Sequence, residues 1–242
     1  MIKRLLQTAA LGVALTAASF GAQALPIGLA LVIDESGSIG QTNYNTQIDG
    51  YVAALNNVLP IDGSVAVSVT TFDASSALVT AMTLIDSQAA LDSLTADIFA
   101  LKAAYNGGAT CVSCGIATAV ADMDSFGYGN LEKAVIDVST DGAWNRGVNP
   151  DGPASDWVND LANLNPALEG NVNCLGVGGS ADCSFIAGPN SFSVSADTFA
   201  DIQRVLENKI RRETGQIPVP ATLALFGLGL LVMGVARKRR QA

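Results

Sequence analysis

Asp34, Ser36 and Ser38 stand at alternate positions directly after the apolar run Leu29-Ala30-Leu31-Val32-Ile33. That run reads as a strand buried on both faces, and it ends abruptly in a carboxylate, two hydroxyls and the glycines Gly37 and Gly40. Oxygen ligands therefore sit at a strand's carboxyl end. Alternate positions along an extended loop let the three side chains converge on one point, and open α/β sheets bind ligands at that edge. Hard oxygens suit a hard cation such as Mg²⁺; residue type alone leaves Mn²⁺ and Ca²⁺ open. An acid followed by hydroxyls also caps the helix after a strand, so the triplet alone serves either use.

Two later stretches add to it. Gly107-Gly108-Ala109-Thr110 is a glycine turn that delivers a hydroxyl just before a helical pattern, and Val135-Ile136-Asp137-Val138-Ser139-Thr140-Asp141-Gly142 is a second strand ending in a carboxylate. Together the Asp34-x-Ser36-x-Ser38 triplet, Thr110 and Asp141 resemble the metal-ion-dependent adhesion site of the von Willebrand factor type A domain, over about Ile27 to Glu213. The resemblance implies a Rossmann-like α/β fold: a mainly parallel central sheet with one short antiparallel edge strand and helices on both faces. It also implies that Ser36, Ser38 and Thr110 ligate the metal directly, that Asp34 and Asp141 act directly or through water, and that one coordination position stays open. With few direct carboxylates the ion keeps much of its charge and favours an anionic sixth ligand, typically a carboxylate from a protein or matrix partner. The expectation is a binding module and not an enzyme. The alternative is an architectural component of extracellular matrix or biofilm in which the metal only stiffens the loops. Glu35, between the ligands, is expected at the surface, and Asp73 is expected to cap its own turn.

The elements that must position these residues alternate. Tyr44, Ile48, Tyr51, Val52, Leu55, Val58 and Leu59 recur at helical spacing, with Asn45, Gln47, Asp49, Asn56 and Asn57 on other faces. Ser64 to Phe72 reads as a strand, and the short Asp73-Ala74-Ser75-Ser76 turn makes the following run, Ala77 to Ile85, its antiparallel neighbour, because a parallel crossover needs a dozen or more residues. Helical segments follow at Ser87 to Leu101 and Cys114 to Phe126, then a strand at Leu131 to Ser139 and an irregular loop at Trp144 to Pro153. Beyond it we expect a helix at Ser155 to Asn165, a strand at Asn171 to Val177, a short edge strand at Ser191 to Val194, and a last helix capped by Asp197 with Phe199, Ile202, Leu206 and Ile210 inward. Strands alternating with helices again give an α/β sheet covered on both faces.

Both ends read as addresses. Lys3 and Arg4, an apolar run from about Ala9 to Phe20 and Ala22-Gln23-Ala24 read as a secretory signal peptide over residues 1–24. Val219 to Ala236 is nearly uncharged and is followed by Arg237-Lys238-Arg239-Arg240, a span with a positive stop that enters a membrane at least transiently. Prolines, span and basic cluster over 217–242 resemble the PEP-type C-terminal sorting signal of Gram-negative bacteria, although Pro218-Val219-Pro220 lacks the usual central acid. That resemblance implies processing by an exosortase-type enzyme and a location at the cell surface, outer envelope or extracellular matrix. One domain, 25–216, remains between the two ends.

That domain holds all 22 acids and seven bases, a formal charge of −15, which argues against a nucleic-acid partner. The absence of histidine excludes Ser-His-Asp and Cys-His chemistry and histidine-bound zinc. Cys111, Cys114, Cys174 and Cys183 allow three pairings, of which nearest neighbours each close a local loop. Cys111-x-x-Cys114 also has the spacing of a thiol-disulfide active site; export favours a structural disulfide.

Overall fold

The computed structural model describes residues 24–152, 157 and 169–216 of the 242-residue chain. The expected signal peptide (apart from Ala24), the expected helix Ser155 to Asn165 (apart from Trp157) and the C-terminal segment 217–242 lie outside the described residues. Among the described residues no helix is long and apolar enough to cross a membrane.

Six strands form one sheet: β1 (Ile27–Asp34), β2 (Val65–Phe72), β3 (Ser76–Leu84), β4 (Lys133–Thr140), β5 (Glu169–Val177) and β6 (Ser193–Ala196), in the order β3-β2-β1-β4-β5-β6. All neighbours are parallel except β2 and β3, whose short connection forces an antiparallel pair. The mainly parallel sheet with an antiparallel edge strand is as expected. The strand expected at Ser191 to Val194 lies two residues later and forms the other edge.

β1 runs between β2 and β4, and alternate residues serve opposite cores. Leu29, Leu31 and Ile33 pack on one face with α1 (Gly40–Val58), α2 (Gln88–Ala100) and α4 (Ile202–Glu213), while Ala30 and Val32 pack on the other with α3 (Val112–Phe126) and Trp157. Burial on both faces explains why β1 is apolar without interruption up to Asp34. α3 can press against the sheet because Gly115 faces it; a Cβ there would lie 2.6 Å from Val32 Cγ1 and 2.9 Å from Phe72 Cδ1.

The last helix begins differently from expectation. A 3-10 turn, Phe199–Asp201, precedes α4, and its hydroxyl-carboxylate bond runs from Thr198 Oγ1 to Asp201 Oδ2 at 2.9 Å. Asp197 therefore does not cap the helix; Asp201 occupies the position before it, with no side-chain capping bond. Of the expected inward stripe, Ile202, Leu206 and Ile210 are fully buried as their spacing requires, whereas Phe199 lies in the 3-10 turn and is only partly buried. Between these residues lies an ion cluster that spacing does not reveal. Lys209 Nζ contacts Asp137 of β4 and, at 2.5 Å, Glu213 Oε1, and all three side chains are buried.

Candidate metal centre

The parallel register brings the carboxyl ends of β1 and β4 side by side, Ile33 opposite Ser139, so the residues that follow them share one edge. Asp34 is fully buried there. Its Oδ1 accepts the Ser36 N–H and its Oδ2 accepts the Thr140 hydroxyl, each at 2.7 Å. Gln47 of α1 donates to the Asp34 carbonyl at 2.9 Å. The Ser36 and Ser38 hydroxyls are 3.1 Å apart, and Ser38 Oγ donates to Asp141 Oδ1 at 2.7 Å. Four of the five expected residues, Asp34, Ser36, Ser38 and Asp141, thus join in one chain of contacts.

The fifth comes in on a separate loop. Gly107 takes φ +66°, a left-handed conformation that favours glycine, and Gly37 N–H donates to the Gly108 carbonyl at 2.8 Å. This bond ties the Thr110 loop to the Ser36–Ser38 loop. Thr110 is almost buried, and its hydroxyl makes no hydrogen bond among the described residues, while its N–H and carbonyl are both engaged by Asn145. Tyr105 fastens the same loops from outside: its hydroxyl donates to the Ser36 carbonyl at 3.0 Å and accepts the Gly40 N–H at 3.1 Å.

Burial pushes the Asp34 carboxyl up to about 6; the Thr140 and Ser36 hydrogen bonds oppose that rise, and the charge of Asp141 adds to it. A positive ion beside it would reverse the balance. The donor set also fits a hard cation: three hydroxyls and two carboxylates on adjoining loops, with the Thr110 hydroxyl making no hydrogen bond among the described residues. Among the described residues no three His, Cys, Asp or Glu side chains gather as a metal-holding group, so a centre here depends on the hydroxyls. Beside it, a cavity of about 370 Å³ is lined by Asn43, Asp141, Asp197, Thr198, Phe199 and residues 177–180.

Glu35 is not the free surface residue expected. It is half-buried, the Tyr44 hydroxyl lies 3.4 Å from Oε2, and burial first, then the Asp73 charge, raises its pKa. Asp73 does what a turn acid does, its Oδ1 accepting the Ser75 N–H at 2.9 Å. Sequence reasoning missed Thr140, Gln47, Tyr105 and Asn145, which hold the candidate ligands. Thr140, adjacent to Asp141 at a strand end, carried a weak signal; Asn145 and Tyr105 carried none.

The cysteines pair with their neighbours. Cys111 bonds Cys114 and Cys174 bonds Cys183, and no cysteine is free among the described residues. The first disulfide begins directly after Thr110, at the start of α3.

The fold is shared with solved structures at low sequence identity. A von Willebrand factor type A protein from Catenulispora acidiphila matches with TM-score 0.61 and 12% identity over 79% of this chain and 43% of that one. Proximal thread matrix protein 1 from the mussel byssus, with a zinc-occupied MIDAS motif, matches with TM-score 0.59 and 14% identity over 77% and 48%. The pilus adhesin SpaC from Lactobacillus rhamnosus GG, in an open conformation, matches with TM-score 0.57 and 14% identity over 79% and 30%. The chain spans less than half the length of each of these three proteins. No curated protein matches it by sequence. Residues 216–240 match the PEP-CTERM protein-sorting motif, which marks a chain exported to the cell surface or extracellular space. Residues 24–218 match "Protein of unknown function (DUF1194)", and the chain belongs to that family, whose fold here is that of a von Willebrand factor type A domain.

Proposed function

We propose that this chain is an exported, non-enzymatic binding module that engages a carboxylate-bearing protein or matrix partner through a divalent cation, Mg²⁺ before Mn²⁺ or Ca²⁺. The observation that carries the proposal is the run of contacts from buried Asp34 through Ser36 and Ser38 to Asp141, with the Thr110 loop bonded alongside. Ser36, Ser38, Thr110, Asp34 and Asp141 would hold the ion. When bound, the ion would supply a Lewis-acidic position open to an anionic ligand. Residues of the chain prepare for that role. Thr140 and the Ser36 N–H keep the Asp34 carboxylate oriented, and the Gly37–Gly108 bond holds the hydroxyl loops in register. The chain is proposed to reach the surface through exosortase-type processing of its C-terminal segment, which engages the membrane at least transiently.

The test is calorimetric titration of Mg²⁺, then Mn²⁺ and Ca²⁺, into the chelator-stripped full chain, with Asp34→Ala plus Asp141→Ala as control. Saturable one-to-one binding that the double variant loses, and partner retention abolished by chelator, is expected. Retention unchanged in chelator and in the variant would refute ion-mediated engagement. A second reading, a matrix component in which the ion is structural, draws on the likeness to a byssal thread matrix protein with an occupied site. It predicts that the double variant lowers thermal stability without changing retention at the surface.

A further inference from the structure

The loop after β4 serves the candidate centre twice. It contributes Asp141 directly, and four residues later Asn145 takes hold of Thr110 from both sides. The Thr110 N–H donates to Asn145 Oδ1 at 2.8 Å, and the Thr110 carbonyl accepts the Asn145 and Arg146 N–H groups at 3.1 and 3.3 Å. Every backbone polar group of Thr110 is therefore engaged by this loop, and the hydroxyl is what remains. The loop in turn has a fixed seat. Gly147, at φ +80°, lies so close over α3 that a Cβ there would fall 2.4 Å from Cys111 Sγ and 2.5 Å from Ser113 Oγ. At its other end, the Gly142 N–H donates to the Thr140 hydroxyl oxygen at 3.3 Å, and that hydroxyl donates its own proton to Asp34.

The geometry points to Asn145 as a positioning residue for the metal centre, acting through Thr110; this rests on the proposed function above. Its side-chain oxygen fixes the Ala109–Thr110 peptide plane through the Thr110 N–H, and with it the backbone rotation at Thr110 that sets the direction in which the hydroxyl is presented. Thr110 sits on a loop entered through a left-handed glycine; without this clamp the peptide plane before Thr110 loses the acceptor for its N–H, while the plane after it stays held through the Thr110 carbonyl and by the Cys111 N–H on the Asp73 carbonyl at 2.8 Å. A second layer of hydrogen bonds of this kind changes metal affinity by about 10–100-fold when removed.

The experiment compares Asn145→Ala and Asn145→Asp with the wild-type full chain, by Mg²⁺ titration, by thermal unfolding in chelator and by hydrogen exchange of the Thr110 amide in chelator. Asn145→Ala is expected to weaken Mg²⁺ binding about tenfold or more, with faster exchange at Thr110 and little change in the melting point. Asn145→Asp keeps an oxygen acceptor at the same place and is expected to restore binding to wild-type strength or above, with slow exchange. Equal Mg²⁺ affinity in Asn145→Ala and wild type overturns the inference while leaving the metal site standing. Equal weakening in both variants also overturns it, because the acceptor would then not be the group that matters. A wild-type chain that binds no divalent ion takes this inference down with the proposal beneath it.

Discussion

Replacing Glu213 by Gln should flatten the dependence of stability on pH. Glu213 and Asp137 share one ammonium, Lys209, in a site closed to water; Glu213 Oε1 accepts from Lys209 at 2.5 Å and from Asn173 Nδ2 at 2.8 Å. Two carboxylates for one buried cation leave an excess negative charge. Burial first, then the Asp137 charge, raise the Glu213 carboxyl from 4.5 to about 8, against the pull of Lys209. Between those two values the folded chain holds a proton that the unfolded chain has released. The stabilisation is therefore fully present below the unfolded pKa and is lost as pH rises towards the folded one, by at most about 1.4 kcal/mol per pH unit. Across roughly pH 5 to 7 that amounts to about 2–3 kcal/mol. Gln retains the acceptor at Oε1, puts an N–H donor in place of Oε2, and does not titrate. Urea unfolding of both proteins in chelator across this range is the assay, read as the difference between the two curves. Asp34, Glu35 and Asp122, whose carboxyls are also raised by burial, contribute to both curves and cancel in the difference. The difference should grow in favour of Glu213→Gln as pH rises; parallel curves would refute the reasoning.

Lys209→Met removes the cation from between two buried carboxylates and should cost about 3–5 kcal/mol by chemical denaturation, less in a Glu213→Gln background. Proton competition at Asp34 should make Mg²⁺ affinity fall about tenfold per pH unit below about pH 6, and Thr140→Val should move that fall to higher pH, both by calorimetry. Gly115→Val should destabilise the chain by about 1–3 kcal/mol or more by overpacking α3 against Val32 and Phe72, measured by thermal unfolding.

Features written in consecutive residues were legible in the sequence. β1 announced itself by an uninterrupted apolar run stopped by Asp34, and the brevity of the Asp73–Ser76 turn gave β3 its direction. The stripe of Ile202, Leu206 and Ile210 needed only its own period. Polar residues whose partners are distant were not legible. Gln47 falls among polar positions of an amphipathic helix, yet it is buried because the Asp34 carbonyl needs a donor. Lys209 reads as one more surface base until β4 supplies Asp137. Asp197 had the composition of a cap, but the chain makes a 3-10 turn first and uses Thr198 and Asp201 there. Thr140 and Asn145 matter only because loops from different strands meet, and a local pattern contains no record of that meeting.

The position of β1 in the sheet sets an order of assembly. It is the first strand to emerge, yet both its neighbours come later, and β4 begins only at Lys133. Thr140 must reach Asp34 across 106 residues, a closure of the long-range kind that slows folding. During synthesis and export, then, the most apolar strand of the domain has no complete binding slot until more than half of the 242-residue chain has been made. A polypeptide truncated before β4 leaves one edge of β1 open and the Asp34 carboxyl without its hydroxyl donor. The candidate centre thus comes into being only with the closure of the sheet.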